Sequence, residues 1–219
     1  MLSKGVVPEL QDVNPGMDSK GKEIQMKNAG ILVFNNIELL DFAGPYEVFS
    51  VTGELSGNKL CRTFIVEEHG EIVKSVNGLK VIPDYSFADS PDIDILIIPG
   101  GAGSKEIMEN ESIINWVLLK NEKSEVTYSV CSGSRILGRA GLLDNIEYTT
   151  HHEVIDDMLK IAPKGLLREN MRFTGSGKIF SSAGISAGID LSLHIVERLF
   201  GRDIMERTKA YMEYGDWKR

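Results

Sequence analysis

"SEVTYSVCSGSRILGRAGLL", residues 124–143, changes character at one residue. Before it, Val126-Thr127-Tyr128-Ser129-Val130 is β-branched and aromatic, the composition of a buried strand. After it, Ile136, Leu137, Ala140 and Leu143 follow in a helical pattern. Cys131 sits on the seam, followed by Ser132, Gly133 and Ser134. A strand that turns sharply into a helix through small residues is the layout that presents a nucleophile. It also puts the cysteine at the carboxyl end of a strand, where open α/β sheets place their ligands.

The same strand-then-helix rhythm runs along the chain. "AGILVFNN" (29–36) is a short apolar run ending in turn formers, and "DFAGPYEVFSVTG" after it is helix-like, with Pro45 near its start. "CRTFIVEE" reads as a strand, and Asn77-Gly78 between β-rich runs signals a hairpin. "DIDILIIPGG" is a continuous apolar run, as expected of a central parallel strand. "SKEIMENESIINWVLLKNEK" reads as a helix broken near Asn110. "EYTTHHEVIDDMLKIAP" is a strand leading into a helix that stops before Pro163, and "MRFTGSGKIFSSAG" is a hairpin with Gly175-Ser176-Gly177 at its tip. An amphipathic helix closed by Gly201 and a last helical segment to about Tyr214 complete the pattern. The fold class is therefore α/β, a doubly wound, mostly parallel sheet with side hairpins.

The 219 residues suit one substantial domain, and 42% hydrophobic content suits a soluble one. No apolar run reaches membrane-spanning length. A net charge of -8 argues against nonspecific nucleic-acid binding. Two cysteines make neither a disulfide framework nor a metal site, so a reducing, cytoplasmic setting is expected, with no metal and no cofactor. Residues 1–27 are polar and contain Pro and Gly, and they read as an N-terminal arm before a single domain over 28–219.

Four features carry candidate chemistry. Cys131 is either a buried, inert thiol or a nucleophile whose thiolate is favoured by the following helix. Gly100 and Gly101 of "IPGGAG" form either an ordinary turn or a source of amides for an anion. Asp41 is either a helix N-cap or a proton carrier for the thiol. His151-His152-Glu153 resembles an acid-base or metal cluster, but adjacent residues do not share a helix face. Cys61, inside a strand pattern, reads as core. "GSGK" lacks the spacing of a phosphate loop.

"LLDFAGPYEVFS", "DILIIPGGAG", "YSVCSGSRILGRAGLLDN", "YTTHH" and "SSAGISAGIDLSLHIVERLFG" together resemble the ThiJ/PfpI superfamily over about residues 28–215, closest to its isocyanide (isonitrile) hydratase branch. Some AraC-type regulators carry a similar domain, but those continue into a helix-turn-helix module of roughly a hundred residues. The resemblance implies a flavodoxin-like fold shared with class I glutamine amidotransferases. It implies Cys131 as nucleophile, Asp41 as the branch's aspartate and Ser132 as the hydroxyl residue after the cysteine. The amides of Gly100, Gly101 and Ser132 would form the anion pocket. A protonated Asp41 would donate to a Cys131 thiolate at neutral pH. The implied activity is conversion of an isocyanide to an N-substituted formamide, a lyase reaction on a small molecule. A glyoxalase- or deglycase-like enzyme and a noncatalytic redox sensor or binding module are the alternatives. A homodimer is implied as well. His152 stands where the branch commonly has a tryptophan.

Overall fold

The computed structural model describes residues 25–215. In chain order the elements are β1 (Lys27–Leu32), α1 (Leu39–Leu55), β2 (Cys61–Glu67), β3 (Val73–Lys74), β4 (Lys80–Val81), β5 (Tyr85–Ser86) and β6 (Ile95–Ile98). They continue as α2 (Ser104–Ile107), α3 (Glu111–Lys123), β7 (Val126–Ser129), α4 (Ser134–Arg139), β8 (Glu147–Tyr148), α5 (Ile155–Ile161) and β9 (Leu166–Leu167). The last are β10 (Phe173–Ser176), β11 (Ile179–Ser182), α6 (Ala187–Phe200) and α7 (Arg202–Tyr211).

The central sheet has seven strands in the order β10-β11-β7-β6-β1-β2-β5, and only the edge strand β10 runs antiparallel to its neighbour. The apolar runs of the sequence are the buried central strands: all of Ile95–Ile98 is fully buried, as are Val126 and Tyr128. From β1 the chain builds outward through β2 to β5, then crosses to the other side of β1 for β6 and β7. The order reverses between β1 and β6, and a crevice opens there at the strands' carboxyl ends. The helices form two sets. Helices α1, α6 and α7 pack on one another, and α4 packs on α2 and α5.

Several local expectations shift. The helix over 104–123 is broken as expected: Asn110 ends one segment and caps α3, its Oδ1 accepting from Ser112 N at 2.9 Å. The Asn77-Gly78 hairpin joins β3 and β4, which form their own two-stranded sheet. The later hairpin turns at Gly177-Lys178, because Gly175 and Ser176 are already paired in β10 and Gly177 takes the left-handed φ of +60°. The "EYTTHH" strand is short and pairs with β9 outside the central sheet. Strand β1 starts at Lys27, so the last residue assigned to the arm belongs to the sheet; residues 1–24 lie outside the described residues. Asp41 is not the cap of α1. Glu38 holds that position, and Asp41 is the third helical residue, fully buried. Pro45 is well inside α1, where it cannot donate to the Asp41 carbonyl one turn back.

Candidate active site

Three loops meet at the crevice, after β1, β6 and β7. The backbone stitches them together. Gly100 N donates to Asp41 Oδ2 at 3.0 Å, and Glu38 N donates to the Gly100 carbonyl at 3.0 Å. Gly101 N donates to Ser132 Oγ at 2.9 Å, and the Ser132 hydroxyl donates back to the Gly101 carbonyl at 3.1 Å. Gly100 is needed for this approach, since a Cβ there would lie 2.6 Å from Ser132 Oγ and 2.9 Å from Asp41 Oδ2. The amides of Gly100 and Gly101 are therefore spent on Asp41 and Ser132, and the anion pocket expected of them is not built that way. The amides that act on the Cys131 sulfur are those of Ser132 and Ile185.

Cys131 opens a single 3-10 turn, Cys131–Gly133, that leads into α4. Its φ is +92°, a region that costs a side chain of this kind about 1–3 kcal/mol. Contacts to its carbonyl hold it there. Thr150 Oγ1 donates to the Cys131 oxygen at 2.7 Å. With that proton committed, the Ser134 hydroxyl, 2.7 Å from Thr150 Oγ1, donates to Thr150 in turn. The small residue at 133 is also required, because a Cβ on Gly133 would meet the Ile98 oxygen at 2.2 Å. The stretch "VCSGS" is thus the sequence a tight, strained elbow demands.

The thiol and the Asp41 carboxyl form a buried pair. Asp41 is 0% exposed and Cys131 5%. Asp41 Oδ1 has no partner at hydrogen-bond geometry, and the Cys131 thiol is the side chain that interacts with the carboxyl. Burial pushes Asp41 up to about 7, against the opposing pull of Cys131 and the Gly100 amide and with help from the Glu38 charge. Burial and then the Asp41 charge push Cys131 up to about 12, outweighing the Ile185 and Ser132 amides. Both causes oppose the thiolate expected at neutral pH, and a helix of six residues adds little dipole on its side. Carboxyl and thiol share one buried site, so the two titrate as a coupled pair.

A cavity of about 370 Å³ opens over the sulfur, lined by residues that include Glu38, Gly101, Cys131, Ser132, Arg135, His151, Glu153 and Ile185. The acidic-histidine cluster is split: His151 and Glu153 face this cavity, while His152 lines another with Thr149 and Thr150. His152 therefore does not replace a wall of the Cys131 cavity. Cys61 is a buried core thiol. Among the described residues, no three His, Cys, Asp or Glu side chains cluster as metal ligands, and no helix is long and apolar enough to cross a membrane.

Residues 27–198 match the DJ-1/PfpI family. The chain belongs to that family. It is 31% identical over 188 residues to an isonitrile hydratase from Pseudomonas putida, covering 84% of this chain and 77% of that protein. It is 28% identical over 190 residues to the HTH-type transcriptional regulator GbdR of Pseudomonas aeruginosa, covering 87% of this chain but 51% of the regulator. The crystal structure of a ThiJ/PfpI family protein from Pseudomonas syringae superposes with a TM-score of 0.80 at 24% identity, covering 100% of this chain and 84% of that one, which speaks to the fold. Membership in this family covers enzymes and regulators alike, so the activity has to be argued from the site.

Sequence reasoning passed over Ile185, Thr150, Glu38 and Arg135. Arg135 could have been found, being a cation one turn after the cysteine and directly before the apolar Ile136 and Leu137. Ile185 gave no signal: its φ of +49° is rare for a β-branched residue, and nothing in "SSAGISAG" marks it.

Proposed function

We propose that this protein is a cysteine-dependent hydratase that converts a small isocyanide to an N-substituted formamide. The observation that carries the reading is the buried Asp41–Cys131 pair at the crevice, a carboxyl held by the Gly100 amide and raised toward neutrality by burial beside the thiol. Asp41 carboxylate takes the thiol proton as sulfur bonds to the terminal isocyanide carbon. The carboxyl then delivers that proton to the same carbon, giving a thioimidate. Water adds to the thioimidate carbon, the C–S bond breaks, and the formamide leaves with the thiol restored. One water is consumed, and no electrons are gained or lost. The amides of Ser132 and Ile185 stabilise negative charge on sulfur as it enters and leaves. The similarity to an isonitrile hydratase supports the reaction class.

The test is turnover of an aryl isocyanide, followed by formamide absorbance, with wild type and Cys131→Ala. Formamide from wild type alone supports the reading, and equal rates from both proteins remove it. Faster consumption of methylglyoxal than of isocyanide would move the same cysteine to carbonyl chemistry. We also propose a homodimer. Ile72, Leu79 and Ile82 around the β3–β4 hairpin are 55%, 51% and 74% exposed, apolar surface suited to a second copy. Sedimentation as a monomer at micromolar concentration would overturn it.

A further inference from the structure

Cys131 opens the elbow turn and Arg135 lies four residues on, in the first turn of α4. Both line the same cavity. Arg135 is an unusual wall for a pocket, because it is only 8% exposed. Its guanidinium is fixed rather than mobile. Nη2 bonds Asp157 Oδ2 at 2.5 Å, and Nη1 bonds Ser104 Oγ, itself fully buried, at 3.2 Å. Those bonds use two of the five N–H groups an arginine carries, and Nε is buried with no partner at all. Asp157 pairs its charge, and the N–H groups that remain on a side chain lining the cavity can serve an acceptor there.

The other charges around the cavity point the opposite way, and their strength decides the matter. Glu38 and Glu153 line it too, and Asp41, which acts on the thiol from outside the lining, is a third carboxylate. Glu153 is exposed and Glu38 half-buried, so solvent screens both. His151 Nδ1 accepts from Glu153 N at 3.2 Å and so is not available to a ligand. Asp157, the counterion of Arg135, does not line the cavity. A buried donor acts through a lower dielectric than the two screened carboxylates, and hydrogen-bonds an anion directly.

We propose that Arg135 makes this pocket selective for electrophiles that carry a carboxylate, which seats on the guanidinium while the electrophilic carbon reacts at Cys131. Arg135 is a specificity-determining residue in this scheme. The inference rests on Cys131 as the nucleophile, and it stands or falls without any isocyanide being turned over.

The experiment uses iodoacetate and iodoacetamide, which differ in charge but not in reacting atoms. Sulfur bonds to the methylene carbon, iodide leaves, and the thiol proton passes to Asp41 or solvent. Rates of Cys131 modification are read by peptide mass mapping on the full chain, and the iodoacetate-to-iodoacetamide ratio is divided by the same ratio for free cysteine. The normalised ratio is expected to be about tenfold above unity or more, the factor that one charge-assisted hydrogen bond supplies. Arg135→Met should bring it to about unity, and Arg135→Lys to an intermediate value. Should Arg135→Met not fold, Asp157→Asn tests the same point: it leaves the guanidinium without its counterion, and the ratio should rise. A wild-type ratio at or below that of free cysteine overturns the proposal, and means that the Glu38, Glu153 and Asp41 carboxylates dominate. A ratio unmoved by the Arg135 variants or by Asp157→Asn overturns it as well. So does a Cys131 that iodoacetamide alkylates and iodoacetate does not, because the pocket then excludes the acid while admitting its neutral analogue. Isocyanide turnover in the same preparation is scored separately, so loss of the hydratase reading leaves this result intact.

Discussion

Replacing Asp41 with Asn should move the Cys131 thiol by a predictable amount. The thiol is held near 12 by burial and by the charge of Asp41. Two unit charges at the ~4 Å of a non-bonded contact, with an effective dielectric of about 20, interact by about 4 kcal/mol, which is the scale taken for the carboxylate and the sulfur anion. At about 1.4 kcal/mol per pH unit, that corresponds to about three units. Asn removes the charge and nearly conserves volume, so the thiol should fall from about 12 to about 9. The assay is thiolate absorbance near about 240 nm against pH, taken as the difference from Cys131→Ala. Wild type should show no thiolate step as pH passes through about 7, because the proton lost there comes from Asp41. The Asn variant should show its step near about 9. A wild-type thiolate step near neutrality would refute this assignment: the sulfur would then hold the pair's charge and the carboxyl its proton. An Asn variant with an unmoved midpoint would refute the electrostatic reasoning itself.

Asp41 also makes a stability prediction. Its value in the folded chain, about 7, lies above the ordinary 3.8, so its favourable contribution is complete below 3.8 and is lost as pH rises through about 7. Asp41→Asn should therefore change stability little at low pH and raise it by up to about 4 kcal/mol above neutrality, read by chemical denaturation at both pH values. Formamide production should follow the same ionisation, with kcat/KM rising through about 7 and Asp41→Asn losing that limb. Gly100→Ala should lose most activity and about 1–3 kcal/mol of stability, because its Cβ meets Ser132 and Asp41 together. Thermal melts of Thr150→Val should show a loss of about 1–3 kcal/mol, since the buried Cys131 carbonyl loses its shortest donor.

What the sequence revealed and what it hid divide along a physical line. Central strands are legible because burial on both faces forces unbroken apolar runs, as in Ile95–Ile98, and the small residues after Cys131 are legible because the close approaches at Gly100 and Gly133 admit no side chain. These are constraints on residue type at one position. The destination of the Gly100 and Gly101 amides was not legible, because it depends on which loop reaches which. Two glycines after a strand offer free N–H groups in any sequence; here Asp41 and Ser132 claim them. The balance that sets the protonation of Cys131 was hidden for a related reason. Its position before a helix suggested a lowered value, but the outcome turns on helix length, burial and the charge arriving from α1, contributions from separate parts of the chain. The same balance shapes the chemistry. A preformed thiolate would need no base, whereas a protonated thiol beside an aspartate near 7 needs one and already has it in contact. The Gly100 amide holds that aspartate in place, and the Gly101 amide ties the Ser132 loop beside it. In the proposed reaction, the loops that do not build an anion pocket instead fix the group that moves the proton.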